Sequence, residues 1–251
     1  MVIRAQQLTA FESSARHGFE NGLAAHIEEY FPVHWREAGE KHICEVIRLG
    51  MTNGANYGLE TKRDIYVYVG LMLYLGSYFD TDPQLPWAAA GLNDKSQPDP
   101  FLRVDATYDS ATAYLDRVAG PDGEFSVAAV DRFTKVTEDL TRSSSVALSE
   151  ILKWMYPEKF NELSDEQFQK VAQLSYENAQ AHALEIRQGV VLFAALASLL
   201  GHRFVDDPQF FWAAEVLNNP KLMDPLQRVT ALKEASVLRL RRWLSAKATA
   251  K

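Results

Sequence analysis

An internal repeat constrains this chain more than any other feature. The segment Leu75-Gly-Ser-Tyr-Phe-Asp-Thr-Asp-Pro-Gln-Leu-Pro-Trp-Ala-Ala returns, 125 residues on, as Leu200-Gly-His-Arg-Phe-Val-Asp-Asp-Pro-Gln-Phe-Phe-Trp-Ala-Ala. The same offset holds without a gap in both directions. Upstream, Pro32 pairs with Pro157, Val46 with Val171, Asn53 with Asn178 and Leu59-Glu60 with Leu184-Glu185. Downstream, Leu92-Asn93 pairs with Leu217-Asn218, Asp99-Pro100 with Asp224-Pro225, Arg103-Val104 with Arg228-Val229 and Arg117 with Arg242. About 27 of the 96 residues from 23 to 118 equal their counterparts, where ordinary residue frequencies give roughly 6. Coincidence between amphipathic helices would not keep one register over that length. The 251 residues therefore divide into two tandem copies, 1–120 and 121–251, expected to pack as one unit. The join falls at the turn-rich Ala119-Gly-Pro-Asp-Gly-Glu124. Before residue 23 the register is weak.

Each copy reads as five helices. In the first they cover about 5–30, 38–56 and 61–78, then a short helix from Pro83 and a last one from Pro100 to about 118. Ile65-Tyr-Val-Tyr-Val69 alternates β-branched and aromatic residues, which allows a strand locally. Its counterpart, Val190-Val-Leu-Phe-Ala-Ala-Leu-Ala, is rich in Ala and Leu and favours helix. Two copies of one fold share one answer, so the expected fold is all-α, with a pseudo-two-fold repeat of a five-helix unit.

The residues shared by both copies are mostly structural. Asp at an N-cap accepts from free first-turn amides, and Pro suits the first helical position because its missing N–H would go unpaired there. Asp82-Pro83, Asp99-Pro100, Asp207-Pro208 and Asp224-Pro225 are accordingly read as helix starts, and Trp87 and Trp212 as packed core indoles. Ser164 and Gln167 have the spacing of a capping box.

Catalytic patterns are missing. The six His include no i, i+4 pair for a helical metal site, and no His-Glu-x-x-His occurs. Gly50 to Gly58 lacks the spacing of a nucleotide-binding loop, Ser143-Ser144-Ser145 lacks a nucleophile-elbow context, and Cys44 reads as a small core or boundary residue. No catalytic residue, metal or cofactor is expected. A single Cys excludes a disulfide framework and suits a reducing compartment. The most apolar stretch, 65–79, is shorter than the ~20 residues of a membrane span, and residues 1–19 carry no signal peptide. A cytoplasmic protein without a membrane partner is expected. Its net charge of −7 argues against a general nucleic-acid binder.

That charge is unevenly placed. Residues 1–125 hold 10 Lys+Arg and 18 Asp+Glu, a net −8, and residues 126–251 hold 16 and 15, a net +1. On the last helix of the first copy, Asp105, Asp109 and Asp116 share one face, with Tyr108 and Tyr114 among them. The second copy has Thr230, Glu234 and Arg241 instead. Such a face is either simply solvated or an acidic docking surface for a basic partner, for which charge speeds association. Asp105, Tyr108, Asp109 and Asp116 are the candidate partner-binding residues.

The first copy resembles small helical accessory proteins of bacterial type VI secretion effector clusters. Tyr57-Gly-Leu-Glu-Thr-Lys-Arg-Asp64, Leu71-Met-Leu-Tyr-Leu-Gly-Ser-Tyr-Phe-Asp80, Asp82-Pro83 and Leu85-Pro-Trp-Ala-Ala89 carry the resemblance, together with Gln6, Leu8, Phe11 and Tyr30-Phe-Pro32. It covers nearly all of the first copy; the second is more distant. The resemblance implies a binding protein without known catalysis, in one of two roles: immunity protein against a cognate secreted effector, or co-chaperone that loads the effector with a chaperone or spike protein. An immunity protein lacking a signal peptide protects against an effector acting in the cytoplasm, which points to a nuclease, and an acidic copy suits the basic substrate surface of a nuclease. Immunity is the expected role and co-chaperone the alternative.

Overall fold

The computed structural model describes residues 5–139 and 146–249. Among them every regular element is helical. Residues 5–119 form α1 (Ala5–Tyr30), α2 (Pro32–Ala55), α3 (Lys62–Leu75), a 3-10 turn (Phe79–Thr81), α4 (Pro86–Leu92) and α5 (Pro100–Ala119). Then follow α6 (Glu124–Asp139), α7 (Leu148–Met155), α8 (Pro157–Phe160), α9 (Asp165–Ala181), α10 (Arg187–Leu200), a 3-10 turn (Pro208–Phe210), α11 (Phe211–Leu217) and α12 (Pro225–Thr249). The Ile65–Val69 run lies inside α3 and is helix. None of the described helices is long and apolar enough to cross a membrane.

The bounds of α3 and α10 differ by 125 residues at both ends, as do those of α4 and α11. Local chemistry explains the departures elsewhere. α2 begins at Pro32 rather than 38, because Pro suits its first turn. It is then interrupted at Gly39, which sits at φ 78°, ψ 158°. The residue 125 further on is Ser164. There α8 has ended, and Ser164 and Gln167 cap α9 reciprocally.

Asp99 caps α5 by accepting from the Phe101 amide, and Asp224 accepts from the Gln227 amide at the start of α12. Asp207 caps a 3-10 turn that leads into α11. Asp82-Pro83, however, opens only a turn, and α4 starts at Pro86. Pro86 lacks an N–H to continue a helix begun at Pro83, and it disfavours helical backbone at Leu85, which lies at φ −126°, ψ 52°. In the later segment Phe211 replaces that proline.

The expected five helices of the second copy are seven among the described residues. Where the first 120 residues have the single α1, residues 124–155 have α6 and α7 as separate helices. The serine run at 143–145 lies outside the described residues.

Two hydrophobic clusters form the core. One draws on residues 23–118, including Ile27, Ile47, Tyr68, Met72 and Val104; the other on 129–240, including Phe133, Phe193, Leu196, Phe204 and Leu232. Trp212 is buried in the second, and Trp87 packs half-buried on the first. The clusters meet where α2 packs on the 208–210 turn and on α12, and where α5 packs on α6 and α8.

Candidate binding surface and the paired centre

The strongest shared motif builds the contact between the two clusters. α3 and α10 both end at a glycine, Gly76 at φ 94° and Gly201 at φ 99°. The two loops touch there. A Cβ on Gly76 would sit 2.7 Å from the Leu200 carbonyl oxygen, and one on Gly201 would sit 3.3 Å from that of Leu75. Glycine is required for the backbone conformation and for the close approach.

Across this contact each aspartate of the motif caps the other side. Asp82 accepts from the His202 amide at 2.9 Å, from the Gln84 amide at 2.8 Å and from the Gln84 side chain at 3.1 Å. Asp207 accepts from the Ser77 amide and hydroxyl, both at 2.7 Å, and from the Gln209 amide at 2.9 Å. The Gln84 amide group also donates to the Ala197 carbonyl at 3.0 Å, and that of Gln209 to the Met72 carbonyl at 2.9 Å. Residue for residue, the two sets lie 125 apart. Further out, the His34 ring nitrogen lies 2.9 Å from the Leu73 carbonyl oxygen, and Lys159 donates to that of Ser198 at 2.8 Å.

The two carboxylates differ electrostatically. Burial raises Asp82, but His202, Lys159 and the Gln84 amide outweigh it and hold the carboxyl below its usual value. The His202 Nδ1 lies 3.5 Å from Asp82 Oδ2. The enclosed amine of Lys159 is in turn pushed down by burial, a shift opposed by Asp82. Asp207 faces Ser77 where Asp82 faces His202. Burial pushes Asp207 up to about 6 against the hydrogen bonds from Ser77 and Gln209.

The shared arginines are equally committed. Arg103 donates to the carbonyls of Leu92, Gln97 and Tyr57, while Arg228 donates to those of Leu222 and His182, the counterparts of Gln97 and Tyr57. Between the clusters, Arg117 makes a bidentate pair with Glu162 at 3.0 and 2.8 Å. Glu37, the counterpart of Glu162, lies 3.6 Å from Arg239, one turn before the counterpart of Arg117.

The candidate acidic residues divide. Asp109 and Asp116 are exposed on α5 and Tyr108 is 49% exposed; none of these side chains has a hydrogen bond or ion pair among the described residues. Asp105 is half-buried and tied to Arg63 at 2.8 and 3.0 Å, with the Arg63 guanidinium 4.0 Å from the Phe101 ring centre. Tyr114 faces inward and packs on Trp87 with ring centres 5.6 Å apart. Sequence reasoning did not single out Tyr74 on α3, which is 55% exposed. Its ring packs edge-on against Phe31 at 5.4 Å, and burial raises its phenol, with Tyr108 adding to the shift. The signal that could have found it was the outward helical spacing of Tyr66, Gly70 and Tyr74.

Between the clusters lies a cavity of about 20 Å³, lined in part by His34, Ala38, Phe210, Arg239 and Trp243. It has room for about one water molecule. Among the described residues no cluster of three His, Cys, Asp or Glu is placed to hold a metal ion. A wider cleft between α6 and α12 carries Lys233, Arg241 and Arg242. Compared with known proteins, the chain matches no protein-family model, no curated protein and no solved structure.

Proposed function

We propose that the chain consists of two diverged copies of one helical unit, packed about a pseudo-two-fold axis that passes between Gly76 and Gly201. We propose further that it acts as a non-enzymatic immunity protein, binding and neutralising a cytoplasm-acting type VI secretion effector, a nuclease. The reciprocal contacts of Asp82 and Asp207 support the first part, since their partners are related by the offset of the repeat. They also explain why those residues recur: each holds the opposite copy. The shared residues are thereby accounted for by assembly, and function falls to what the copies do not share.

One observation carries the second part. The exposed row Tyr108, Asp109 and Asp116 on α5 has no polar partner among the described residues, and α12 places Lys233, Glu234 and Arg241 at the matching positions. An acidic, tyrosine-bearing face suits a basic partner such as the substrate-binding surface of a nuclease. The role itself rests on the resemblance of the first copy to accessory proteins of effector clusters.

Co-expression with the effector encoded beside this gene tests the proposal. Immunity predicts a tight 1:1 complex and restored growth. Death at the same rate with and without this chain overturns it. A contact with a chaperone or spike protein, with loss of effector delivery but no self-poisoning on deletion, establishes the co-chaperone role instead.

A further inference from the structure

We infer that the face formed by α3 and α5 is the seat for one amphipathic helix of the partner, an inference that rests on the protein-binding reading above. The protein contains its own precedent. α6 lies against α10 and α12 and buries Ala129, Val130, Phe133 and Val136 there. In α10, Val191, Leu192 and Ala195 are 3%, 1% and 0% exposed.

The matching positions of the first half are less covered. On α3, Tyr66, Val67 and Gly70 are only half-buried, and Tyr74 is exposed where its counterpart Leu199 is half-buried. On α5, Tyr108 is exposed where Lys233 is half-buried. The difference has a structural cause. α1 continues as one helix along α2 and meets α3 at Tyr66, through Phe19, Gly22 and His26, whereas α6 is a separate helix that lies across its pair.

Gly70 marks the centre of this face. A Cβ there would meet nothing within 4 Å. At Gly50 and Gly54 of α2 it would lie 2.5 Å from Val69 and 2.9 Å from Ile65, so those glycines serve internal packing. Gly70 serves none, although glycine weakens a helix interior. A bare backbone stripe between Tyr66 and Tyr74 lets another helix approach closely.

The chemistry of the occupant follows. Its inner face carries an aliphatic or aromatic ridge at helical spacing, as α6 presents, and seats on Val67, Gly70 and Tyr74. Its flank carries Lys or Arg toward Asp109 and Asp116, which charge complementarity with the first half favours.

The test uses the full chain and the effector encoded beside its gene, inactivated in its catalytic residues. Gly70→Trp fills the seat. It should not lower the thermal melt, and it should weaken binding by about tenfold or more through faster dissociation. Asp109→Lys should slow association. Glu234→Lys, the equivalent change on α12, should alter neither rate. A photo-crosslinker at position 70 should capture a basic helical segment of the effector. If the unaltered chain binds and Gly70→Trp binds equally well, the seat is wrong and the immunity reading stands. If the unaltered chain does not bind the effector, both fall. Capture of a second copy of this chain overturns the inference in favour of self-association.

Discussion

Asp82 has the spacing of a helix cap and does accept from the amide two residues on, but its larger task is to hold His202 across the repeat. A lost exposed cap costs about 1 kcal/mol. Asp82→Ala strands the His202 amide, removes one of the two acceptors of the Gln84 side chain and takes the compensating charge from the enclosed Lys159 amine, so the expected loss is about 3 kcal/mol, read by denaturant unfolding. A loss of only about 1 kcal/mol would return Asp82 to simple capping. Asp207 gives a pH signature. Its carboxyl titrates at about 6 in the folded chain, against an ordinary value of 3.8. The folded state therefore binds the extra proton between those values, and stability falls as pH rises through that window. Asp82 acts oppositely: its lowered value contributes stability above the ordinary carboxylate range that is lost on acidification. Asp207→Asn should flatten the fall between pH 4 and 6; an unchanged slope would count against that assignment. The local half of this site was legible in Asp-Pro-Gln. The cross-repeat half was not, because His202 and Ala197 are 120 and 113 residues from their partners. The available signal was that Gly, Asp and Gln recur together at the 125-residue offset.

At the scale of elements, glycine and proline decide the boundaries. Gly76→Ala places a Cβ 2.7 Å from a backbone oxygen at φ 94°, where neither side can give. Gly123 has φ 80° with nothing within 4 Å, so its alanine variant carries conformational strain alone. Calorimetry should find Gly123→Ala down by about 1 kcal/mol and Gly76→Ala by clearly more. Equal losses would mean that the loops separate at little cost. The sequence match at an offset of 125 made α3, α4, α10 and α11 readable, since the segment from Val190 resolved the ambiguity at Ile65–Val69. It missed the separation of α6 from α7, which lies where the register is weakest, before residue 23 and its counterpart 148. The α4 start was missed because Pro86, rather than Pro83, sets it. On α5 the inward direction of Tyr114 was readable: Val104, Thr107, Ala111, Tyr114 and Val118 form one buried stripe.

Over the whole molecule, the net −8 of residues 1–125 gains a location. Part of it is internal, at Asp80 and Asp82, and part is spent on Arg63 by Asp105; Asp109 and Asp116 remain outward. Arg117 and Glu162 join the halves at an exposed pair, so Arg117→Ala should cost no more than about 1 kcal/mol and leave binding unchanged. A binding loss in that variant would move the contact surface toward the junction. A chain that neutralises a toxin by seating it on the first half must protect cells through that surface. The most direct measurement is growth of cells producing the neighbouring effector together with the chain, with Gly70→Trp and Asp109→Lys combined or with neither. Survival is expected with the unaltered chain, and loss of protection with a double variant that melts no lower than it. Equal killing with the unaltered chain would contradict the function, and full protection by the folded double variant would contradict the surface.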